Sequence, residues 1–191
     1  LPVEKRMEQH SSFFIRLKNK AGLYKWVMIQ YADHIYDEQG NMVSQTDFNG
    51  NKTCYAYDLN RNLEIARVEG LSASQSCPTD IVSYVPASNS AERRILTSWH
   101  STFQLPLIIT EPNRETKIDY DSHGNITRYH LRDLSSTDSR TWALSYQYHT
   151  TVPGLILQTL VDGPRTDLSD ITVIDFYLPD ANCIGNHAGC R

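Results

Sequence analysis

The sequence predicts an all-β fold made of consecutive antiparallel β-hairpins that form a curved, extended sheet. A tyrosine–aspartate pair followed by a turn and an apolar residue recurs at Tyr36, Tyr57 and Tyr120. The first two copies are 21 residues apart and the next is 63 residues further on, three times that spacing, which is typical of a repeat architecture. The apolar runs are short and alternate with polar residues, and no convincing amphipathic helix follows residue 12.

The chemistry of one copy predicts a strand that leads into a tight turn. In the run TCYAY, Tyr55 and Tyr57 should share one face of a strand, with Cys54 and Ala56 on the other. The carboxylate of the following Asp58 can accept hydrogen bonds from backbone amides two residues on, which opens a turn. Each copy therefore reads as strand, turn and strand.

Glycines close two of these turns. Gly40 and Gly124 should supply the positive φ that a hairpin loop with a G1 bulge needs. The second copy has Arg61 in the glycine place, so we expect a neighbouring asparagine, Asn60 or Asn62, to be left-handed instead.

The remaining elements follow from the alternation of apolar runs and turn formers. Residues 1–12 form a polar segment, a tail or a short helix, and 70–80, 86–91 and 132–139 read as loops. Strands are expected at 13–17, 23–31, 42–48, 52–57, 63–68, 93–100, 105–110, 115–120, 126–131, 141–149, 155–161 and 171–178. The expected domains are a polar N-terminal segment (1–12), a β-repeat domain (13–180) and a Cys/His/Gly tail (181–191).

Composition narrows the function classes. The chain has 191 residues, 40% of them hydrophobic, and a net charge of -4 with scattered Lys and Arg, which argues against a nucleic-acid partner. No apolar run is long enough for a membrane span. The start has neither an initiator Met nor a signal-peptide core, so we expect a segment of a longer polypeptide.

The candidate reactive residues favour structural roles. The aspartates of the three copies are best explained as turn caps rather than as catalytic pairs; they are Asp37, Asp58 and Asp121. A second cluster lacks the spacing of a calcium loop; it consists of Asp162, Asp167 and Asp170. We expect no catalytic, cofactor or metal site.

The four cysteines leave alternatives open. Cys54 is most simply a small packed residue in a strand, and Cys77 lies in a serine-rich loop. Cys183 and Cys190 flank His187 near the end, where free thiols are favoured over a disulfide or a metal site.

Several stretches resemble the YD-repeat, or RHS, family. GNKTCYAYD (50–58) is similar to its G-x-x-x-x-Y-x-Y-D core, and NRETKIDYDSHGNI (113–126) matches with Asn113 in the glycine place and Ile118 in the first tyrosine place. The stretches 99–112 and 161–177 also look like family sequences, so the resemblance covers roughly residues 36 to 180. The motif residues are Tyr36, Asp37, Gly40, Asn41, Gly50, Tyr55, Tyr57, Asp58, Tyr120, Asp121, Gly124 and Asn125.

The resemblance implies a structural function rather than an enzymatic one. Such proteins are bacterial, secreted or surface-exposed, and in the toxin members their repeats coil into a hollow shell around a C-terminal toxic domain. The expected partners are the remaining repeats and the C-terminal domain of the parent polypeptide. The family's self-cleavage motif, Asp-Pro-x-Gly, is absent, since Asp162 is followed by Gly-Pro, and no toxin domain follows, so we expect shell wall alone.

The sequence leaves two alternative functions open. A carbohydrate-binding or adhesion module would use Trp26, Trp99 or Trp142 as platforms, and a hydrolase would use a pair such as Asp119 and Asp121.

The last strand, ITVIDFYL (171–178), is β-prone and has one charge, so we expect self-association through a terminal edge.

Overall fold

The described part of the chain is built of β-strands and turns. The computed structural model describes residues 7–18 and 24–176, with side chains from residue 32 onward. No helix occurs among these residues, so none there could cross a membrane, and the predicted all-β class is confirmed. The described strands are β1 (Met7–Lys18), β2 (Tyr24–Tyr36), β3 (Met42–Thr46), β4 (Asn51–Asp58), β5 (Leu63–Ser72), β6 (Arg93–Trp99), β7 (Pro106–Glu111), β8 (Arg114–Tyr120), β9 (Ile126–Asp133), β10 (Ser139–Tyr148), β11 (Ile156–Asp162) and β12 (Ile171–Asp175).

The chain divides into two compact units of one design. The first comprises Leu1–Ser98 with Thr110–Pro112, and the second comprises Trp99–Ile109 with Asn113–Arg191. Within the first, β1 to β6 pair in sequence order, each antiparallel to the next. Within the second, β8 to β12 do the same. Connections of a few residues allow only antiparallel neighbours, so the turns set this order everywhere except between β5 and β6, which residues 73–92 connect.

Several strand boundaries differ from expectation, and two of them show the cause. Strand β1 begins at Met7, inside the segment expected to be a tail or a short helix, because its backbone pairs with β2 along its whole length, with Met7 opposite Tyr36. Strand β5 continues to Ser72, into the expected loop, because Leu71 and Ser72 pair with β4. Cross-strand pairing has outweighed local propensity in both places. The domain boundaries 1–12, 13–180 and 181–191 stay predictions.

The first unit has its core on one face of β4 and β5. Cys54, Ala66, Val68 and Leu71 project from these strands and are at most 2% exposed. Ile81 completes the cluster and comes from the connection between β5 and β6, which we call the cover loop (residues 73–92). The sheet face therefore owes its burial to a segment that the sequence presents only as loop.

A disulfide holds the cover loop to the sheet. Cys54 of β4 is bonded to Cys77 of the loop, with 5.7 Å between the Cα atoms. The expectation that Cys54 is a lone packed residue was wrong, although its burial was anticipated. Alternation along a strand predicts which side a side chain faces, but not which loop residue meets it there. Cys183 and Cys190 lie outside the described residues.

Glu92 fastens the end of the cover loop. Its carboxylate accepts hydrogen bonds from Gln75 Nε2 at 3.0 Å, Tyr84 Oη at 2.8 Å and the Ala87 amide at 3.1 Å. The bonds from Gln75, Ala87 and Tyr84 lower the pKa of the Glu92 carboxyl. Three points of a polar loop are thus joined to one ionised group.

The opposite face of the first unit is charged and aromatic. Arg67 forms ion pairs with Glu64 at 2.8 Å and Glu69 at 2.7 Å. Burial raises the pKa of Tyr55 and that of Tyr57, the latter to about 12, and the nearby Glu64 carboxylate raises both further. The two rings therefore share a face, away from the Cys54 cluster, as predicted.

Candidate functional site: a ladder of capped turns

The first turn, Asp37–Asn41, has the predicted chemistry. The Asp37 amide donates to the Asn41 carbonyl at 2.9 Å, and Gly40 has a φ of 85°. Asp37 Oδ1 accepts hydrogen bonds from the amides of Gln39 at 3.0 Å and Asn41 at 2.8 Å. Asn41 Nδ2 donates to the other carboxylate oxygen at 3.0 Å. The aspartate thus caps the turn, as an Asx-turn does, and Tyr36 before it pairs with Met42 across the hairpin.

The third copy, Asp121–Asn125, repeats these bonds. The Asp121 amide donates to the Asn125 carbonyl at 2.9 Å, and Gly124 also has a φ of 85°. Asp121 Oδ1 accepts from the amides of His123 at 2.8 Å and Asn125 at 2.9 Å. Partial burial raises the pKa of the Asp121 carboxyl, but hydrogen bonds from Tyr148 and from these amides outweigh it and lower the pKa overall.

The second copy has no glycine in its turn, and an asparagine takes the left-handed conformation instead, as expected. Asp58 Oδ1 accepts from the Asn60 amide at 3.0 Å, and the Arg61 amide donates to the Asp58 carbonyl at 3.2 Å. Asn62 has a φ of 52°, so the left-handed residue is an asparagine rather than Arg61.

A fourth capped turn, Asp47–Asn51, was missed. Asp47 Oδ1 accepts from the amides of Asn49 at 2.8 Å and Asn51 at 2.9 Å, and Gly50 has a φ of 83°. Gly50 is therefore a turn residue, not only the first position of the family pattern. No tyrosine precedes Asp47, but the letters DFNGN carry the same spacing of Asp, Gly and Asn as the other turns and could have revealed it.

Histidine takes the place of aspartate in two more turns. His100 Nδ1 accepts from the amides of Thr102 and Phe103, both at 3.1 Å, and His149 Nδ1 accepts from those of Thr151 at 3.2 Å and Val152 at 3.1 Å. Each histidine amide also donates to a leucine carbonyl at 2.8 Å, closing the turn as the aspartates do. His100 precedes Asp121 by 21 residues, so the repeat spacing could have identified it.

Three tyrosine hydroxyls reach back to the strands that leave earlier turns. Tyr57 donates to the Met42 carbonyl at 3.1 Å, Tyr120 to that of Pro106 at 2.9 Å and Tyr146 to that of Ile126 at 2.6 Å. Met42, Pro106 and Ile126 share one position, since each is the first residue of the strand that leaves a capped turn. The tyrosine therefore secures the turn before it, while the aspartate or histidine that follows caps the next.

Side chains of successive turns also touch directly. In the first unit, Asn41 Nδ2 donates to Asn62 Oδ1 at 3.2 Å. In the second, Tyr148 donates its hydroxyl to the Asp121 carboxylate and accepts from Asn125 Nδ2 at 2.8 Å. Within each unit, we call this series of bonded turns the turn ladder. It contains the motif residues Asp37, Asn41, Tyr57, Asp58, Tyr120, Asp121, Gly124 and Asn125, each in a structural role.

Both carboxylates of the proposed hydrolase pair, Asp119 and Asp121, already have partners in the structure. Asp121 is occupied by its own turn and by Tyr148, while Asp119 points to Arg128, with 3.5 Å between the charged atoms. In the other acidic cluster, Arg165 pairs with Asp167 at 2.8 Å. Among the described residues no three potential metal ligands come together.

Neither Trp99 nor Trp142 has a fully exposed ring on which a sugar could stack. Trp99 and Trp142 are only partly exposed, and the Trp142 ring packs edge-on against Tyr129 with 5.7 Å between the centroids. A sugar platform needs a free ring face. The Trp26 side chain lies outside the described residues.

The link between Asp121 and Tyr148 predicts energetic coupling between turns. We expect Asp121→Ala to lower the free energy of unfolding by about 1 to 2 kcal/mol, as loss of a capping side chain does. Once Asp121 is gone, Tyr148→Phe should cost less than it does alone, giving a coupling energy above the roughly 0.5 kcal/mol within which independent sites add. Urea unfolding of the two single variants and the double variant measures it. The control pair is Asp47→Ala with Tyr148→Phe, which should add; equal behaviour of both pairs would contradict the ladder.

The sequence matches no protein-family model, and no curated protein matches it. The geometry of the turn ladder is therefore the main indication of what this chain does.

Proposed function

We propose that this chain is a structural β-repeat segment of a secreted or cell-surface protein of the RHS/YD-repeat type. It would form part of the wall of a shell that encloses a C-terminal toxin or effector domain. The turn ladder is the observation that carries the proposal. The turns that follow Tyr57 and Tyr120 are each bonded to a turn 21 residues earlier, so the same bonds can be repeated for as long as the sequence repeats.

The pairing of strands supports a wall. In both units every described strand pair joins neighbours in sequence, so the sheet grows by addition of one strand at a time. Such a sheet has no natural end, and each added hairpin extends a surface. A shell needs an element of this kind, and its partners would be the further repeats of the parent polypeptide.

The disulfide supports the proposed location. Cys54 and Cys77 are bonded, and disulfides persist in oxidising surroundings such as the cell exterior. A secreted or surface-exposed protein meets that condition.

The edge strand β12 provides the test. All five of its residues are exposed, with Val173 at 51%, and among the described strands it pairs only with β11. A wall segment without its neighbours should therefore associate through this edge. We expect sedimentation velocity at micromolar concentration to show dimers or larger species, and Val173→Lys to shift the chain to monomer, because a charge on an edge strand opposes pairing.

Val85→Lys is the matched control. Val85 is 79% exposed but lies in the cover loop, so the same charge there should leave association unchanged. A monomeric natural chain would contradict the proposal and indicate an independent domain. Equal loss of association in both variants would show that the chain associates through non-specific hydrophobic contacts rather than through pairing of the edge strand β12.

A further inference from the structure

The caps of the turn ladder differ between the two units. In the first unit they are the aspartates Asp37 and Asp58. In the second unit, histidines stand on either side of the Asp121 turn: His100 caps the turn between β6 and β7, and His149 caps the one between β10 and β11. The turns at this end of the sheet are thus held by carboxylates in the first unit and mainly by imidazoles in the second.

The two imidazoles act as acceptors. The Nδ1 atom of each ring accepts hydrogen bonds from two backbone amides, at 3.1 to 3.2 Å. A ring nitrogen can accept only while it has no proton, so both imidazoles are neutral here, with the ring proton on Nε2. Protonation would place an N–H at Nδ1, facing two amide N–H groups that would then lose their acceptor. A carboxylate cap has no such conflict until it is itself protonated, at about pH 4.

Both histidine-capped turns pack against the turn that lies between them. A Cβ atom on Gly124 of that middle turn would be 3.4 Å from the side chain of Leu105, which belongs to the first histidine-capped turn. A Cβ atom on Gly154, in the second histidine-capped turn, would be 3.8 Å from the His123 ring of the middle turn. Release of either outer turn would therefore remove packing from the middle one as well.

Other titratable side chains face these turns. The Tyr120 ring meets the His100 ring edge-on, with 6.3 Å between the centroids, and the His123 ring packs on Tyr148, the residue before the second histidine cap, at 4.6 Å. Burial raises the pKa of both tyrosines. Burial also raises the pKa of the Asp121 carboxyl, but its hydrogen bonds lower the pKa overall. These tyrosines and this aspartate therefore keep their charge states in mild acid, where only the histidines change theirs.

We propose that the two histidine-capped turns make the second unit acid-sensitive, so that it loosens in mild acid while the first unit holds. Histidine side chains take up a proton between about pH 8 and 5. A released turn can accept that proton without losing a bond, whereas a capped turn cannot. The folded unit then binds fewer protons than the unfolded chain, and its stability falls as the pH falls. Carboxylate caps, as in the first unit, stay ionised over the same range.

Urea unfolding at about pH 7.5 and about pH 5 tests the proposal. The folding equilibrium constant of the second unit should fall at the lower pH by as much as about 30-fold for each histidine, the limit set by proton uptake of an ordinary histidine in the unfolded chain. The double variant His100→Asn, His149→Asn keeps side-chain acceptors that do not titrate, so its loss should be much smaller. NMR signals of the Thr102 amide follow the second unit, and those of the Asn41 amide follow the first.

His130→Asn is the matched control. His130 also lies in the second unit, but its Nδ1 atom is 2.7 Å from the Thr141 hydroxyl, which can donate or accept, so this bond survives protonation. The control variant should lose stability in acid as the natural chain does. Each single cap variant should remove part of the loss, which keeps the test open if the double variant does not fold. Equal stability of the natural second unit at both pH values, an undiminished loss in the cap variants, or removal of the loss by His130→Asn would each overturn the proposal.

Discussion

Loss of the Cys54–Cys77 disulfide is expected to lower the free energy of unfolding by roughly 3 kcal/mol. The bond spans 23 residues, and a loop of that size restricts the unfolded chain by about this amount in the chain-entropy treatment. The folded state is affected too, because the bond joins the cover loop to a sheet face where Cys54 is completely buried. Without it, Ile81 is held over the core by packing and by hydrogen bonds of the cover loop, among them those to Glu92 and the one from Arg94 to the Val82 carbonyl.

Urea unfolding with and without a reducing agent measures this effect. The Cys54→Ala, Cys77→Ala double variant should match the reduced natural chain in stability, apart from the smaller side chain at position 54. Addition of reductant should leave the double variant unchanged, which controls for effects on other cysteines. A natural chain equally stable in both conditions would contradict a structural role for the bond.

Replacement of Gly70 by alanine is expected to cost about 2 to 5 kcal/mol, the sum of backbone strain and a forced contact. Gly70 lies in β5 with a φ of 80°, where β5 has one residue more than β4 and forms a bulge. A Cβ atom there would be 2.3 Å from the Ala91 carbonyl oxygen. Backbone atoms cannot rotate away as a flexible side chain could, so the end of the cover loop must shift.

Gly40→Ala separates the two causes. Gly40 has nearly the same φ, 85°, but a Cβ atom there would have no neighbour within 4 Å. Only the strain, about 1 to 2 kcal/mol, should remain. Thermal or urea unfolding of both variants gives the difference. Equal losses would show that the close approach of Ala91 has no energetic weight.

The features that depend on a few adjacent residues could be predicted from the sequence. The caps of Asp37 and Asp121, the positive φ of Gly40 and Gly124, and the choice of an asparagine in the turn after Asp58 all follow from local turn chemistry. The all-β class follows from the same signals, because frequent turns leave room only for short strands.

The features that depend on distant residues could not be predicted. Nothing near Cys54 indicates that Cys77 lies over it, and a polar, serine-rich loop gives no sign that Ile81 is buried. The repeat motif does not identify His100 and His149 for a different reason: the motif specifies an aspartate, whereas the turn needs only an acceptor for two amides. A chemical definition of the cap, combined with the repeat spacing, would have included His100.

The pairing of every described strand with its sequence neighbour within each unit has a consequence for synthesis on the ribosome. The contacts of such hairpins are local in sequence, and local contacts form quickly because little chain entropy is lost in closing them. Each new hairpin could therefore dock as it emerges, using the tyrosine at its end to fasten the turn already made. The nascent chain would always present one open strand, the template for the next, so folding would advance from the N-terminus at the pace of translation.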